Sequence, residues 1–345
     1  MTDVVARVDA VLADVISSHR NRWSGLSPYI STIFDELEVL VLGGGKRLRP
    51  QFCYLGWTAA GGNPDSDTPI RIGAAVELLH VMALLHDDVI DDAATRRGNT
   101  TTHRRQSDVH REKNLLGEPR RFGEGIAVLI GDITYVLSDV LVDDLSQQAR
   151  VVWNDLRIEM NIGQYLDTVG SAYRERSVTF AETVCRYKSA KYTIERPLHL
   201  GAIAADTARG QQLQPMMSGY GLPLGDAFQI RDDVLGVFGD EKTVGKPVGG
   251  DFREGKPTPM LAYAYEHADA AQRTLLDMVG NDNLSHDDIE RLQQVVVDTG
   301  ARDAMEQRIN SLVEQAITAL STTELDAETH SALTALAHAV TQRDV

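Results

Sequence analysis

The sequence of 345 residues predicts an all-α protein, and two observations support that fold class. Apolar residues recur at intervals of three and four along most of the chain, as expected for helices with one buried face. Alternating patterns of period two, bounded by hairpin turns, are nearly absent. The breaks between helical stretches are short and their flanks do not differ in composition, so we expect one large helical domain over residues 1–345.

The N-terminal segment is predicted to be an amphipathic helix that packs on the body of the protein. Its apolar residues recur at helical spacing: Val4, Val5, Val8, Val11, Leu12, Val15 and Ile16. Asp3 and Arg7 interrupt the apolar residues before any hydrophobic core of a targeting signal could form. We also find no apolar run that is long enough to span a bilayer, and we expect no membrane segment.

Clusters of Gly, Pro, Asn and Asp predict where the following helices begin and end. These breaks lie at residues 61–64, 117–119, 245–259 and 280–283. After the last of them, Ser285 and Asp288 have the spacing of a capping box, in which each side chain satisfies a backbone N–H group of the first helical turn.

Charge and cysteine content exclude several classes of function. The chain has 34 basic and 50 acidic residues, a formal charge of −16, so its overall field repels nucleic acid and anionic membranes. Cys53 and Cys185 are far apart and have no metal-ligand spacing. This pattern predicts neither a disulfide framework nor a zinc site, and favours a reducing, cytoplasmic location.

The most informative predicted helix begins near Asp67-Thr68-Pro69, a capping residue followed by proline at the first helical position, and runs to Asp92. At about 100° per residue, His80, Asp87 and Asp91 lie within a sector of about 40°. A helix C-terminus already carries partial negative charge, so a carboxylate cluster there is favourable chiefly when cations neutralise it. A solvated helix end is an equally good interpretation of one such cluster alone.

A second acidic cluster favours the metal interpretation. Gln229, Asp232, Asp233 and Gly236 share one face of another predicted helix. Carboxylates on two facing helices can bracket Mg²⁺, which prefers oxygen ligands and is usually completed by water and substrate phosphates.

Basic motifs supply the charge that would bind such phosphates. Residues 43–50 combine three glycines with Lys46, Arg47 and Arg49, a composition suited to wrapping a diphosphate. The segment is not a P-loop, because the required spacing and the preceding strand are both missing. Further basic residues follow the acidic clusters: Arg96, Arg97, Lys188, Lys246 and Lys256.

In combination these motifs resemble the trans-type polyprenyl (isoprenyl) diphosphate synthases, and most of all the short-chain actinobacterial geranylgeranyl and farnesyl diphosphate synthases. The motifs occur in the family's order: G-G-G-K-R-L-R-P at 43–50, E-L-L-H at 77–80, H-D-D-V-I-D at 86–91, R-R-G at 96–98, G-D at 131–132, G-Q-x-x-D at 163–167, K-S-A at 188–190, F-Q-I-R-D-D at 228–233, and G-K-P with D-x-x-x-G-K from 245 to 256. The resemblance implies an isoprenoid-synthase fold, with helices surrounding a central active-site cavity.

The resemblance also implies a role for each matching residue. The Mg²⁺ ligands would be Asp87, Asp91 and Asp232, with Asp88 and Asp233 close by. The allylic diphosphate would be held by Arg96, Lys188, Lys246 and Lys256, with polar support from Ser189 and Gln229. Isopentenyl diphosphate would be held by Lys46, Arg49, His80 and Arg97.

The implied reaction is the condensation of isopentenyl diphosphate with an allylic diphosphate by a homodimeric prenyltransferase. Ionising the allylic C–O bond requires metals and cations at the leaving group rather than a protein nucleophile. Family members stop chain growth with bulky aromatic residues at the positions of Met82 and Ala83. The flexible Met82 and the small Ala83 therefore favour geranylgeranyl diphosphate as main product, with farnesyl diphosphate as a lesser one.

Three features depart from the family pattern: Gly236, Thr101, which stands where the family commonly has proline, and the long basic stretch at 103–121. Gly236 stands where the second motif usually has its third aspartate, and Asp240 is a possible substitute. The basic stretch at 103–121 is either a lid or a surface insertion.

A class I terpene cyclase has no use for the isopentenyl site, and a non-catalytic helical subunit tends to lose its aspartates, so both alternatives rank far below the synthase.

Overall fold

A computed structural model of the chain describes residues 2–96, 98–239 and 249–342, and that part is almost wholly helical. The α-helices are α1 (Thr2–Trp23), α2 (Ser31–Leu42), α3 (Leu48–Ala59), α4 (Thr68–Ile90), α5 (Thr102–Glu112), α6 (Pro119–Val140), α7 (Gln147–Tyr173), α8 (Val178–Cys185), α9 (Arg196–Ala205), α10 (Thr207–Phe238), α11 (Gly250–Glu254), α12 (Pro259–His267), α13 (Ala270–Leu276), α14 (His286–Asp298), α15 (Ala301–Leu320) and α16 (Ala327–Thr341). A π-helical segment, Arg186–Glu195, follows α8. Strands β1 (Thr95–Arg96) and β2 (Asn99–Thr100) form a short antiparallel ribbon. The prediction of an all-α fold is confirmed.

The chain divides into two compact units, each built from two segments. The first unit comprises Met1–Arg150 and Pro197–Gln211, and the second comprises Val151–Arg196 and Gln212–Val345. The single domain expected over 1–345 stays a prediction.

The core of the first unit is built around α4. Its apolar residues pack against the inward faces of α1, α2 and α6, where Leu12, Leu37, Leu78 and Ile130 are almost fully buried. The helical spacing of these residues explains the arrangement, because each helix turns one apolar stripe towards the others. The predicted packing of an amphipathic α1 on the body of the protein is therefore observed.

The ends of α4 differ from the prediction in two details. Pro69 lies in the first turn as expected, but the Asp67 side chain makes no capping hydrogen bond and instead pairs with Arg7 at 3.0 Å. The helix ends at Ile90, and Asp92 has a φ of 51° in the left-handed region. Asp92 therefore lies outside the helix, because a left-handed residue ends the α-helical hydrogen-bond pattern.

The expectation that no apolar segment could span a bilayer needs correction for α4. Within the described residues, α4 is long and apolar enough to cross a membrane by length and composition, with 72% of its most apolar window buried inside the protein. Its hydropathy is therefore that of a core helix, whose apolar residues are covered by α1, α2 and α6.

The predicted breaks separate helices in the structure. Ser285 and Asp288 form the expected capping box at the start of α14, and the Glu118 side chain accepts from the backbone of Arg120 and Arg121 at the start of α6. The stretch 103–121 includes most of α5, which packs along α6 and buries His103, Gln106, Ser107 and His110. The part of this stretch within α5 therefore packs into the first unit, whereas residues 111–118 are exposed. Whether the whole stretch is a lid or a surface insertion stays a prediction.

The second unit has a core of its own. Trp153 of α7, Tyr220 of α10 and Phe252 of α11 are fully buried. The Tyr220 hydroxyl donates to the Leu333 carbonyl of α16 at 2.8 Å, which satisfies the polar end of a buried aromatic side chain. These contacts fix α10, the helix that carries the second acidic cluster.

Candidate active site

In the first unit, two carboxylates at the end of α4 converge on one guanidinium. Arg96 of β1 donates through Nε to Asp88 Oδ1 at 2.5 Å and through Nη2 to Asp87 Oδ2 at 3.1 Å. Burial lowers the pKa of Arg96, but the charges of Asp88 and Asp87 outweigh burial and raise it overall. The β1–β2 ribbon therefore turns the chain back directly after α4, so that Arg96 faces the acidic end of that helix.

The motifs H-D-D and G-D meet in the same unit. A Cβ atom at Gly131 of α6 would lie 2.3 Å from His86 Nε2, so glycine is needed there for α4 and α6 to approach. His86 Nε2 lies 3.2 Å from the Val128 carbonyl and 3.7 Å from Asp132 Oδ1. The G-D motif thus positions the turn of α4 that carries Asp87.

The basic segment at 43–50 does not use its three cations in the same way. Lys46 is exposed and Arg49 is half-buried, as is His80 on α4, which suits all three to a ligand. The Arg47 side chain is buried, with its guanidinium held by Glu77 and Asp9. The interpretation of Arg47 as a third diphosphate-binding cation is therefore wrong.

In the second unit, sequence reasoning missed the partner of Lys188. The Lys188 Nζ donates to Asp167 Oδ2 on α7 at 2.5 Å. A Cβ atom at Gly163 would lie 2.2 Å from the Lys188 nitrogen, so the glycine allows the two backbones to touch. The G-Q-x-x-D motif was visible in the sequence, but only the fold shows that its glycine and aspartate position Lys188.

Ser189, Gln229 and Asp233 form a hydrogen-bonded chain. Ser189 Oγ donates to Gln229 Oε1, and Gln229 Nε2 donates to Asp233 Oδ1 at 2.8 Å. Ser189 belongs to the π-helical segment, whose wider turn is typical of functional sites. The polar support predicted for Ser189 and Gln229 therefore leads to an aspartate of the second cluster.

The space beside Gly236 is filled by Asp251 of α11. A Cβ atom at Gly236 would lie 2.3 Å from Asp251 Oδ2. Burial first, and then the charge of Asp251, raise the pKa of Asp233 well above the ordinary value. A carboxylate thus lies next to the position of the missing third aspartate, and it comes from α11. The proposed substitute Asp240 lies outside the described residues.

The remaining predicted residues divide into three groups. Lys256, which follows α11, pairs with Glu254 at 2.5 Å, and its charge also lowers the pKa of Asp233. On α4, Met82 is buried and Ala83 is half-buried. Arg97 and Lys246 lie outside the described residues.

The donor set fits a hard divalent cation that is completed by other ligands. Among residues 2–96, 98–239 and 249–342, no group of three or more His, Cys, Asp or Glu side chains could hold a metal ion by itself. Oxygens of Asp87 and Asp88 nevertheless converge on one positive group, the Arg96 guanidinium. Carboxylate pairs completed by water and substrate phosphates are the usual surroundings of Mg²⁺.

Comparison with known proteins agrees with the motif resemblance. The family model described as polyprenyl synthetase matches residues 31–296. Geranylfarnesyl diphosphate synthase of Aeropyrum pernix is 32% identical, over 97% of this chain and 99% of that protein. Octaprenyl diphosphate synthase of Escherichia coli is 28% identical, over 88% of both chains. The family predicted from the motifs is confirmed.

A solved structure extends the likeness to the whole fold. Geranylgeranyl pyrophosphate synthase of Corynebacterium glutamicum, complexed with isoprenyl diphosphate and magnesium, has a TM-score of 0.91 and 35% identity, over 98% of each chain. The predicted isoprenoid-synthase fold is thereby confirmed.

Proposed function

This chain belongs to the polyprenyl synthetase family, and we propose that it condenses isopentenyl diphosphate with allylic diphosphates, namely dimethylallyl, geranyl and farnesyl diphosphate. The product is a short-chain all-trans prenyl diphosphate. The observation that carries this proposal is the convergence of Asp87 and Asp88 on the Arg96 guanidinium. A fixed cation beside carboxylates suited to a metal provides the charge stabilisation that ionisation of a diphosphate requires.

We propose Mg²⁺ as the metal, with Asp87, Asp91 and Asp232 as ligands and Asp88 and Asp233 beside them. Bound Mg²⁺ supplies neutralisation of the leaving diphosphate. The fit of the first cluster to a cation supports this proposal, because Arg96 already bridges Asp87 and Asp88.

Cations of the chain itself hold the allylic diphosphate. Arg96, Lys188, Lys246 and Lys256 bind its oxygens, with Ser189 and Gln229 supporting them. Arg96 and Lys188 are each paired with carboxylates in the structure, so each is oriented before the anion arrives. Preorganised charge of this kind lowers the barrier because it needs little rearrangement as the C–O bond breaks.

Isopentenyl diphosphate binds to a separate set, Lys46, Arg49, His80 and Arg97. The exposure of Lys46 and the half-buried positions of Arg49 and His80 support this assignment. After ionisation, the isopentenyl double bond attacks the allylic carbocation, and the departing diphosphate takes the proton that is lost.

The main product that we propose is geranylgeranyl diphosphate, with farnesyl diphosphate as a lesser one. Ala83 lies about 6 Å along α4 from Asp87 and about 40° around the axis, where a methyl group leaves room for a growing chain. Met82 is a flexible barrier next to it. Ala83→Phe should shorten the product and Met82→Ala should lengthen it, and unchanged products in both variants would contradict the assignment.

We further propose a cytoplasmic homodimer. Exposed apolar residues repeat at helical spacing on α6, with Leu129, Val136 and Val140, and on α7, with Ile158 and Ile162. Apolar stripes of this kind mark interaction surfaces. Light scattering should give twice the chain mass for the wild type, and Ile158→Glu should shift the protein towards monomer. Cys53 and Cys185 are both buried free thiols, which supports the cytoplasmic location.

One assay tests the proposed function directly. The purified protein is incubated with isopentenyl diphosphate, Mg²⁺ and each allylic diphosphate in turn, and the dephosphorylated products are sized. Linear alcohols longer than the allylic substrate are the expected result. Cyclic hydrocarbons formed without isopentenyl diphosphate would indicate a terpene cyclase, and no product with any substrate would contradict catalysis.

A further inference from the structure

Arg47 combines an unfavourable backbone with a buried charge. Its φ of 47° lies in the left-handed region, which is unfavourable for a residue other than glycine. Its side chain is only 4% exposed, although a guanidinium is normally solvated. Neither feature is expected of a residue in a Gly-rich surface loop, so the surrounding contacts must stabilise both.

Three acceptors surround the Arg47 guanidinium, and two of them are charged. Nε donates to Asp9 Oδ1 of α1 at 2.8 Å, and Nη1 donates to Glu77 Oε2 of α4 at 3.1 Å. Nη2 donates to the Val41 carbonyl of α2 at 2.5 Å. One side chain therefore ties the loop to three helices, and its charge is compensated where it is buried.

The inward direction of Arg47 determines where its neighbours lie. Lys46 is exposed and Arg49 is half-buried. The Gln51 side chain donates to the Lys46 carbonyl at 2.6 Å, and the Gln51 backbone donates to the Arg47 carbonyl at 3.2 Å. The peptide groups on both sides of Arg47 are thus fixed. This fixes the loop end that carries Lys46 and its junction with α3, which carries Arg49 in its first turn.

Glu77 connects this loop to the helix that carries His80. Glu77 and His80 are three residues apart on α4, so they lie on neighbouring positions of one helix face. Glu77 is buried, with a side chain only 5% exposed. Within the part of the chain that the structure describes, its Oε1 atom has no hydrogen-bond partner. The Glu77 carboxylate therefore depends on Arg47, and the pair sets the position of the loop relative to the turn of α4 that ends in His80.

We propose that Arg47 and Glu77 are positioning residues for isopentenyl diphosphate, which hold Lys46 and Arg49 in register with His80. This inference rests on the proposed function, in which those three residues bind that substrate. Neither Arg47 nor Glu77 contacts the substrate. Their contribution is to keep three separate cationic or hydrogen-bonding groups at one fixed spacing.

Steady-state kinetics of Arg47→Met and Glu77→Gln test the proposal. Each change should raise KM for isopentenyl diphosphate about 10- to 100-fold, because displacing binding groups by about 1 Å costs that much. KM for the allylic diphosphate should change less than about threefold, since Arg96 and Lys188 have other partners. Arg47→Lys, which keeps the charge but not the forked geometry, should give an intermediate KM.

Two further variants separate positioning from stability. Arg105→Met removes another arginine of the same unit, which is paired with the buried Glu36. It should lower the melting temperature and leave both KM values unchanged. Arg47→Gly removes the guanidinium but favours the left-handed backbone, so it should still raise KM for isopentenyl diphosphate. If Arg47→Met does not fold, Arg47→Lys and Glu77→Gln carry the same comparison.

The outcomes distinguish this inference from the proposed function. A wild-type protein that makes no product from isopentenyl diphosphate overturns both. An active wild type whose Arg47 and Glu77 variants leave KM unchanged, or raise both KM values equally, overturns the positioning role alone. A selective rise for isopentenyl diphosphate that is absent in Arg105→Met supports it.

Discussion

The two acidic clusters of this protein carry similar sequences but differ in how the fold treats their charge. On α4, Asp87 and Asp88 share a guanidinium that comes from the ribbon directly after the helix. On α10, Asp233 accepts from the amide of Gln229 and has the Asp251 carboxylate as an electrostatic neighbour. The first cluster is compensated by a fixed positive charge, and the second is not compensated to the same degree.

This difference indicates what each cluster does before substrates arrive. The two hydrogen bonds from Arg96 hold the Asp87 and Asp88 carboxylates in a fixed orientation beside a positive charge. Around Asp233, burial and the Asp251 charge favour the protonated form. A divalent cation bound as proposed would therefore change the charge balance of the second cluster more than that of the first.

The largest expected effect comes from removing one carboxylate of either cluster. Asp87→Ala and Asp232→Ala should each lower turnover by about three orders of magnitude or more, because groups that act as a unit lose most of their effect together. Turnover is measured at saturating substrates over a range of Mg²⁺ concentrations. Full activity in EDTA would contradict metal-assisted ionisation.

A matched control for this prediction is Asp144→Ala. Asp144 is exposed and pairs with Arg71 at 2.5 Å on the surface, and exposed pairs contribute little to stability. Its removal should leave turnover and metal dependence unchanged. Near-normal turnover in Asp87→Ala or Asp232→Ala would contradict the assigned metal role.

The next largest effect is expected from removing Arg96, the cation that compensates the charges of Asp87 and Asp88. Arg96→Met should lower turnover by about a hundredfold, because it removes a group that stabilises the leaving diphosphate. It should also cost about 2 kcal/mol of stability in EDTA, since two partly or fully buried carboxylates lose a charged hydrogen-bond donor. Added Mg²⁺ should restore part of the stability that Arg96→Met loses. This variant makes the first cluster resemble the second.

The control for Arg96 is Arg104→Met, which breaks a more exposed pair with Asp92 at 2.7 Å. It should change turnover less than threefold and the melting temperature by no more than a few degrees. Equal losses in the two arginine variants would show that Arg96 has only a general structural role.

The sequence predicted the helical fold and the composition of both clusters because these depend on local information. Helical periodicity identified α1 and α4, and Ser285 and Asp288 identified the start of α14. Asp87 and Asp232 could be found because each belongs to a motif of contiguous residues. Local patterns are the most reliable part of a sequence, since secondary structure and capping act over a few residues.

The pairings inside the site could not be predicted, because they join residues far apart in the chain. Lys188 and Asp167 are 21 positions apart, and Arg47 and Glu77 are 30 apart. The π-helical segment around Lys188 and the left-handed Arg47 also depend on tertiary contacts, not on local propensity. From the sequence alone, Arg47 was therefore interpreted as a ligand-binding cation like Lys46 and Arg49.

Restoring the aspartate that the second motif lacks should be unfavourable in this fold. In Gly236→Asp the new side chain would occupy the space of the Asp251 carboxylate and add a like charge. Asp251 can rotate away, so we expect a loss of about 1–2 kcal/mol in EDTA rather than failure to fold. Thermal unfolding with and without Mg²⁺ measures it.

The matching control is the exchange variant with both Gly236→Asp and Asp251→Gly. It keeps one carboxylate in that space, so it should recover most of the stability lost by Gly236→Asp alone. Additive losses in the double variant would show that the two positions do not compete for the same space.

The smallest effect is a pH dependence that separates the second cluster from an ordinary helix cap. Because the Asp233 pKa is raised in the folded protein, the folded state binds more protons than the unfolded state above about pH 4. Wild-type stability therefore falls as pH rises through the folded pKa, whereas Asp233→Asn has no such loss. In EDTA, Asp233→Asn should melt a few degrees higher than wild type at neutral pH, and the difference should shrink towards pH 4.

The opposite sign is expected for Asp288→Asn, a change of the same type at the start of α14. Hydrogen bonds from Ser285 lower the pKa of Asp288, so its ionised form stabilises the folded state above the unfolded pKa and that contribution is lost as pH falls. Asp288→Asn should therefore melt slightly lower than wild type at neutral pH, and the two should converge in acid. If Asp233→Asn and Asp288→Asn shift in the same direction with pH, burial beside Asp251 does not control the charge of Asp233.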